Sequence, residues 1–357
     1  MNPQKNSSAT AYGAGMASRS LTDEDLAKQK GFFDTRVKHY KMESLLQDLL
    51  PLLTPHSESN IIVLTGATGV GKSTLTKRLL SRLIQDFTGV VQRDPGAVPL
   101  AYVEAYADGE VRFSFKGLYR SLLNELQDPG TDNKCSLEVN NGKLVIKPQA
   151  SRTTSVLRSA LEDALKLRKT QVVVIDEAYH LLRFGQLTAV MDTLKSLANT
   201  TGVKLVLVGS FDLFDLVSDH GQVARRTAIL NLDRYHVDDA EDCKQFKKVV
   251  EMLQAKWPCD SVPRFTAIAD ELLEVSLGCV GLLKSLMLDA SAMQLHNKGV
   301  WDHRFLSKAA KSNKLREVIR KEIEIGETKV RDALYGESLW DSAKVLELAT
   351  RMELANV

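Results

Sequence analysis

The sequence predicts an α/β fold: a parallel five-stranded sheet with helices between its strands, followed by a small all-helical domain. Two observations carry this. Short β-rich runs alternate with longer amphipathic segments to about residue 235, after which the β-runs stop. Four of the five runs are almost uniformly apolar, as strands covered on both faces are. Strand–helix alternation of this kind builds a parallel sheet through right-handed crossovers.

The elements follow in order. Residues 1–21 are rich in Ser, Ala, Gly, Asn and Thr and bury too little to offset their ordering entropy, so a mobile tail is expected, drawn to residue 30. Within it, Thr22 can cap a short helix from Asp23, with Asp25 three residues on. Ser44–Leu53 has helical periodicity up to Pro51. The strand candidates are Ile61–Thr65, Leu100–Ala105, Val172–Ile175, Lys204–Val208 and Ile229–Leu232. Between them fall helices at Ser73–Ile84, Gly117–Leu126, Ser155–Leu167 and Thr188–Thr200. Ser136–Lys147 holds an Asn141–Gly142 turn between two alternating runs, a hairpin inserted at the surface. Ala240–Lys256, Phe265–Ser276, Leu282–Asn297, Phe305–Ala310 and Lys314–Ile325 read as helices. The expected domains are an α/β domain over 31–235, a helical domain over 236–312 and a helical tail over 313–357.

Composition narrows the function. With 44% hydrophobic and 26% charged residues, the chain is in the globular range and not fibrous. Lys and Arg number 47 against 45 acidic residues, so nucleic-acid binding requires a local patch. Cys135, Cys243, Cys259 and Cys279 form no C-x-x-C pair, which argues against zinc or a disulfide framework. No apolar run approaches the ~18–20 residues that span a bilayer, and the N-terminus has no apolar signal region. A cytoplasmic protein with no membrane partner is expected.

Gly66-Ala-Thr-Gly-Val-Gly-Lys72-Ser73 fits G-x-x-x-x-G-K-[ST] directly between a buried-type strand and an amphipathic helix. Gly66, Gly69 and Gly71 let the backbone turn tightly and bring N–H groups onto phosphate oxygens, with Thr68, Val70 and Thr74 completing the loop. Lys72 offers a charge to the β- and γ-phosphates of ATP, and Ser73 a hydroxyl to Mg2+. Val172-Val-Val-Ile-Asp176-Glu177 is an apolar strand ending in two carboxylates. Asp176 would hold Mg2+, and Glu177 beside it would activate the attacking water, a pairing that suits hydrolysis. Ser210 ends the next apolar strand and could meet the γ-phosphate or that water, with Asp212 two residues on. Arg225 and Arg226 precede the fifth strand and read either as surface charge or as an arginine finger acting on a neighbouring subunit; Arg225 is slightly favoured, because Arg226 abuts the strand. Gly278-Cys-Val-Gly281-Leu-Leu-Lys284 could return Lys284 to the phosphates, the alternative being a solvated lysine.

In this order the motifs resemble an AAA+ ATPase, a P-loop core with a five-stranded parallel sheet and a helical lid. Within that superfamily the chain resembles the TnsC/TniB transposition regulators, relatives of MuB. The features shared are Phe33–Thr35, Gly66–Ser73, Asp176-Glu177-Ala-Tyr-His180, Gly209-Ser210-Phe, Ala224-Arg225-Arg226, Gly278–Lys284 and Ala290–Ala292. The resemblance spans roughly 30–310; the hairpin and the residues after Ser312 fall outside its pattern. It implies an ATPase that assembles with itself as a ring or filament on double-stranded DNA and recruits a transposase. A target-selecting partner of the TniQ/TnsD kind, CRISPR-associated in some systems, would direct it. DNA contacts would fall on loops of the α/β domain, with Arg112, Lys116, Arg120, Lys147 and Arg152 as candidates. The basic stretch Lys308–Lys321 could be a solvated face, a DNA contact or a docking helix for the transposase. Two other readings stand beside this one: a replication-initiator or helicase-loader ATPase, and a nucleotide-gated signalling switch that binds no DNA.

Overall fold

In the computed structural model, Ile61–Gly66 (β1), Leu100–Glu104 (β2), Val172–Asp176 (β5), Lys204–Val208 (β6) and Thr227–Leu232 (β7) form one parallel sheet in the order β2-β5-β6-β1-β7. The structure describes residues 21–105, 113–129, 136–140, 143–147, 153–217 and 227–335. Every residue of β1, β5 and β6 is buried, which explains why those runs are apolar without alternation. The edge strands β2 and β7 are only partly covered. Ser136–Asn140 (β3) and Lys143–Lys147 (β4) pair antiparallel as the hairpin expected from the Asn-Gly signal, whose turn residues lie outside the described residues.

Register sets the core in rows. Val63 of β1 and Ile175 of β5 both face Leu207 of β6. Against that row pack Leu122, Leu161 and Leu194, from the helices Phe115–Glu125 (α4), Thr154–Leu167 (α5) and Leu187–Thr201 (α6). Each such side chain contributes roughly 1.5–3 kcal/mol of burial, set against the entropy of ordering it.

Among the described residues, two compact units emerge, each built from two separated stretches of chain: residues 38–234 with 313–335, and residues 21–37 with 235–312. The first holds the sheet, the helices Tyr40–Leu52 (α2), Lys72–Arg93 (α3), α4, α5 and α6, and a last helix described below. The second is helical. Its first helix, Asp23–Asp34 (α1), opens with the expected capping box: Thr22 Oγ1 accepts from the Asp25 amide at 3.2 Å, and the Asp25 carboxylate accepts from the Thr22 amide at 3.0 Å. Ala240–Gln254 (α7), Ala269–Val275 (α8), Val280–His296 (α9) and Arg304–Ala309 (α10) complete it. Its core is aromatic: Trp257 packs against Phe32, Phe265 and Trp301 at centroid separations of 5.5, 4.7 and 5.9 Å. The sequence predicts consecutive domains; in space, α1 joins the helical unit through Phe32, and residues 313–335 join the α/β unit. The reading of residues 1–20 as a tail lies outside the described residues.

Several element ends differ from expectation. α3 runs nine residues past Ile84, because an exposed Gly89 weakens a helix without stopping it. It ends at Arg93, where Pro95 forces Asp94 out of the helical region; the Asp94 ψ is 92°. Phe265–Ser276 is a 3-10 turn over Phe265–Ile268 followed by α8, not one helix. The final helix, Asn313–Tyr335 (α11), is ten residues longer than the expected Lys314–Ile325 at its C-terminal end.

Candidate functional site

The sheet order puts β5, β6 and β1 side by side, so the groups at their carboxyl ends meet along one edge. The Gly209 amide donates to the Leu64 carbonyl at 3.1 Å and extends the β1–β6 ladder up to Ser210. In open α/β sheets this edge is where ligands bind.

The phosphate loop leaves β1 here. Gly66 has no room for a side chain, since a Cβ there would stand 2.7 Å from the Leu232 carbonyl oxygen. Gly71 has φ 119° and caps α3; no side chain caps this helix and no acidic residue stands in its first turn. An uncapped helix start without a carboxylate receives anions. Val70 is buried and pins the loop, its amide donating to Ala67 at 3.2 Å. Thr74 likewise donates its amide to Gly71 at 2.9 Å. The Lys72 ammonium donates to the Gly66 and Ala67 carbonyls at 2.9 and 3.0 Å, and Ser73 is exposed in the first turn of α3.

Asp176 and Glu177 stand across the edge on β5. Asp176 is 8% exposed, and its carboxylate accepts from the Glu177 amide at 2.8 Å. Burial pushes its carboxyl above the usual range, with the nearby Glu104 charge adding to the shift and Lys72 opposing it. Glu177 is also raised, first by burial and then by Asp176, while Lys72 again opposes. Its backbone is left-handed at φ 51°, uncommon for a residue with a side chain. That turn carries Glu177 off the strand axis beyond Asp176.

The structure adds two residues that motif reading missed. Glu104 pairs in register with Asp176 at the end of β2, and Tyr102 lies two residues before it, its hydroxyl 3.5 Å from the Asp176 carboxylate. Burial and that carboxylate push the Tyr102 hydroxyl up to about 12. The only trace of them in the sequence is polarity near the end of an otherwise apolar run.

Ser210 stands two residues past the end of β6, its hydroxyl 3.2 Å from the Asp212 carboxylate. Lys284, on α9, holds its ammonium on the Phe33 and Thr35 carbonyls at 2.7 and 2.5 Å and over the Phe33 ring, all within the helical unit. Burial, reinforced by Arg36, lowers it to about 8. Here, then, Lys284 braces the C-terminal end of α1 at Phe33 and Thr35, and is not a solvated lysine. Lys116 and Arg120 lie one turn apart on α4, both half-buried. Lys147 ends β4. Arg112, Arg152, Arg225 and Arg226 lie outside the described residues. A separate pocket of about 690 Å3, lined by Asp94, Asp128, Asp163 and Arg168 among others, contains none of the motif residues.

A glycine loop opening a helix, opposite an acidic strand end on one parallel sheet, defines a P-loop nucleotide-binding fold. Residues 56–217 match the family model described as an AAA domain. The chain therefore carries an AAA domain, and its architecture is the AAA+ P-loop fold with a helical C-terminal region. Among solved structures it is similar to the ORC2 protein of Aeropyrum pernix in ADPNP–ADP complexes, with a TM-score of 0.53 and 16% identity over 81% of this chain and 74% of that one. It is also similar to the ORC1 protein of Aeropyrum pernix in complex with DNA, with a TM-score of 0.55 and 16% identity over 79% of this chain and 68% of that one. No curated protein matches the sequence. Among the described residues, no helix is long and apolar enough to cross a membrane.

Proposed function

We propose that the chain is an ATPase, and that ATP binding and hydrolysis switch its assembly on double-stranded DNA on and off. The observation that carries the ATPase reading is Glu177, placed beyond the metal-ligand position Asp176 and across the sheet edge from Lys72. The donor set fits a nucleotide with Mg2+: an uncapped helix start and an ammonium for phosphates, a hydroxyl and a buried carboxylate for the ion. Lys72 and the loop amides would hold the β- and γ-phosphates, and Ser73 with Asp176 would hold Mg2+, which neutralises developing phosphate charge when bound. Glu177 orients water and takes its proton. Burial and the neighbouring Asp176 raise its affinity for that proton, which suits a base. Ser210 meets the γ-phosphate or the water, and Arg225 or Arg226 would complete the site of a neighbouring copy.

The order of motifs favours a transposition regulator, partnered by a transposase and a TniQ/TnsD-type selector. A second reading, a replication-initiator or helicase-loader ATPase, is favoured by the likeness to the ORC1 protein solved with DNA. Stimulation of strand transfer by a cognate transposase supports the first; helicase loading supports the second. The ATPase reading itself is tested by Lys72→Ala. ATP binding, measured by calorimetry, should fall at least tenfold, and parental affinity in the variant would overturn the site.

A further inference from the structure

α11 follows the helical unit in sequence but lies in the α/β unit, where four contacts seat it. Thr68, in the phosphate loop, donates its hydroxyl to Glu322 Oε1 at 2.7 Å. One turn on, Gly326 lies directly against the Phe211 ring, so closely that a Cβ would run into it. Arg234 holds Glu327 through two nitrogens, at 2.6 and 3.1 Å. Lys329 reaches Asp215 at 2.9 Å. Ile323 and Val330 are buried beneath, while Leu315, Val318 and Ile325 face outward. The helix is thus seated along one narrow stripe, from the phosphate loop to the segment after Ser210.

The position of Glu322 conflicts with the chemistry of the loop. The loop is an anion receptor, and Thr68 is its third residue. A carboxylate held on Thr68 places negative charge where a polyphosphate brings more. Like charges at such a distance disfavour each other, although exposure of Glu322 weakens the effect. The two anions therefore compete for one loop.

We propose that α11 is an autoinhibitory strap: Glu322 occupies the phosphate loop when the helix is seated, and nucleotide binding is linked to its release. The inference rests on the nucleotide reading above. Linkage makes the effect reciprocal, so whatever factor α11 docking takes from nucleotide affinity, bound nucleotide takes from α11 docking. Up to Lys321 the helix carries Lys314, Arg316, Arg320 and Lys321 against Glu317 alone, so its release would hand a partner a helix with a basic N-terminal stretch in the ATP state alone.

The test uses the full chain and two variants that weaken the strap at different points. Glu322→Gln keeps an acceptor for Thr68 but removes the charge. Gly326→Ala wedges the helix from Phe211 without touching the loop. ATP and ADP affinities are measured with Mg2+ present, and amide exchange over 313–335 is followed with and without nucleotide. Both variants should bind ATP roughly threefold to tenfold more tightly than the parent. In the parent, ATP should speed exchange across α11. Equal ATP affinity in the parent and Glu322→Gln, with unchanged exchange, overturns the strap and leaves the nucleotide site standing. Weaker binding in both variants also overturns it, since α11 would then support the site. Absence of ATP binding in all three proteins overturns the nucleotide reading and the strap with it.

Discussion

At the residue scale, the candidate site holds two neighbouring carboxylates in different surroundings. Asp176 is nearly enclosed and fixed by the Glu177 amide; Glu177 is turned out of the strand by its left-handed backbone. One suits a fixed ligand and the other a base that must meet water. Glu177→Gln preserves shape but cannot take the proton. Turnover should fall by on the order of 10²–10⁴-fold with ATP binding retained, as a steady-state phosphate-release assay beside calorimetry would read. Unchanged turnover would remove Glu177 from the chemistry. Lys72, Ser73, Asp176 and Glu177 were legible in the sequence because each belongs to a contiguous motif whose geometry is local. Glu104, Tyr102 and Glu322 were not, since each reaches the site only through strand register or a contact distant in sequence.

At the element scale, α2 begins at a buried histidine. His39 is 3% exposed and starts the helix, with Lys41 and Arg78 nearby. Burial first, and those two cations next, lower it to about 4 from an ordinary 6.5. The unfolded chain therefore takes up a proton between pH 6.5 and 4 that the folded chain refuses. Stability rises with pH across that window and is lost as pH falls through it, by on the order of 3 kcal/mol for a shift of this size. Denaturant unfolding at pH 7 and pH 4.5 should show the loss, and His39→Leu should flatten it. An equal pH dependence in the variant would assign the effect to other groups. The helical unit has its own local constraint: Gly278 has φ 73°, and a Cβ there would collide with the Tyr235 backbone, whose amide bonds the Gly278 carbonyl at 3.0 Å. The glycine that opens the Gly278–Lys284 motif is thus required by packing.

At the scale of the whole molecule, a net charge of +2 cannot hold a duplex by itself. If the chain acts on DNA, assembly must multiply a small basic surface, one or two phosphate contacts per subunit. Duplex binding should be cooperative, require ATP and be indifferent to sequence, with a log–log salt slope near −0.9 per phosphate neutralised. Charge reversal at Lys116 or Arg120 should weaken all duplexes alike and leave ATP binding intact. A salt series with ATP, ADP and no nucleotide measures this. Binding absent throughout would favour the signalling-switch reading, and tight binding without nucleotide would exclude ATP-driven assembly.

The sequence by itself determined the class of fold and the place of the glycine loop between strand and helix. Uniformly apolar runs such as Val172–Ile175, alternating with amphipathic segments, are those of doubly covered strands, and the spacing from Gly66 to Ser73 is a local geometry that neighbouring residues enforce. Tertiary structure alone decided which strands are neighbours, and with them the meeting of Glu104 with Asp176. It also decided that Lys284 braces Phe33 and Thr35, and that the last helix leaves its sequence neighbours for the α/β unit. The physical reason is the range of the forces that settle each matter. Periodicity and glycine turns act within a few residues, whereas Thr68 and Glu322 are 254 residues apart, and their contact follows from the buried stripe on which α11 is seated.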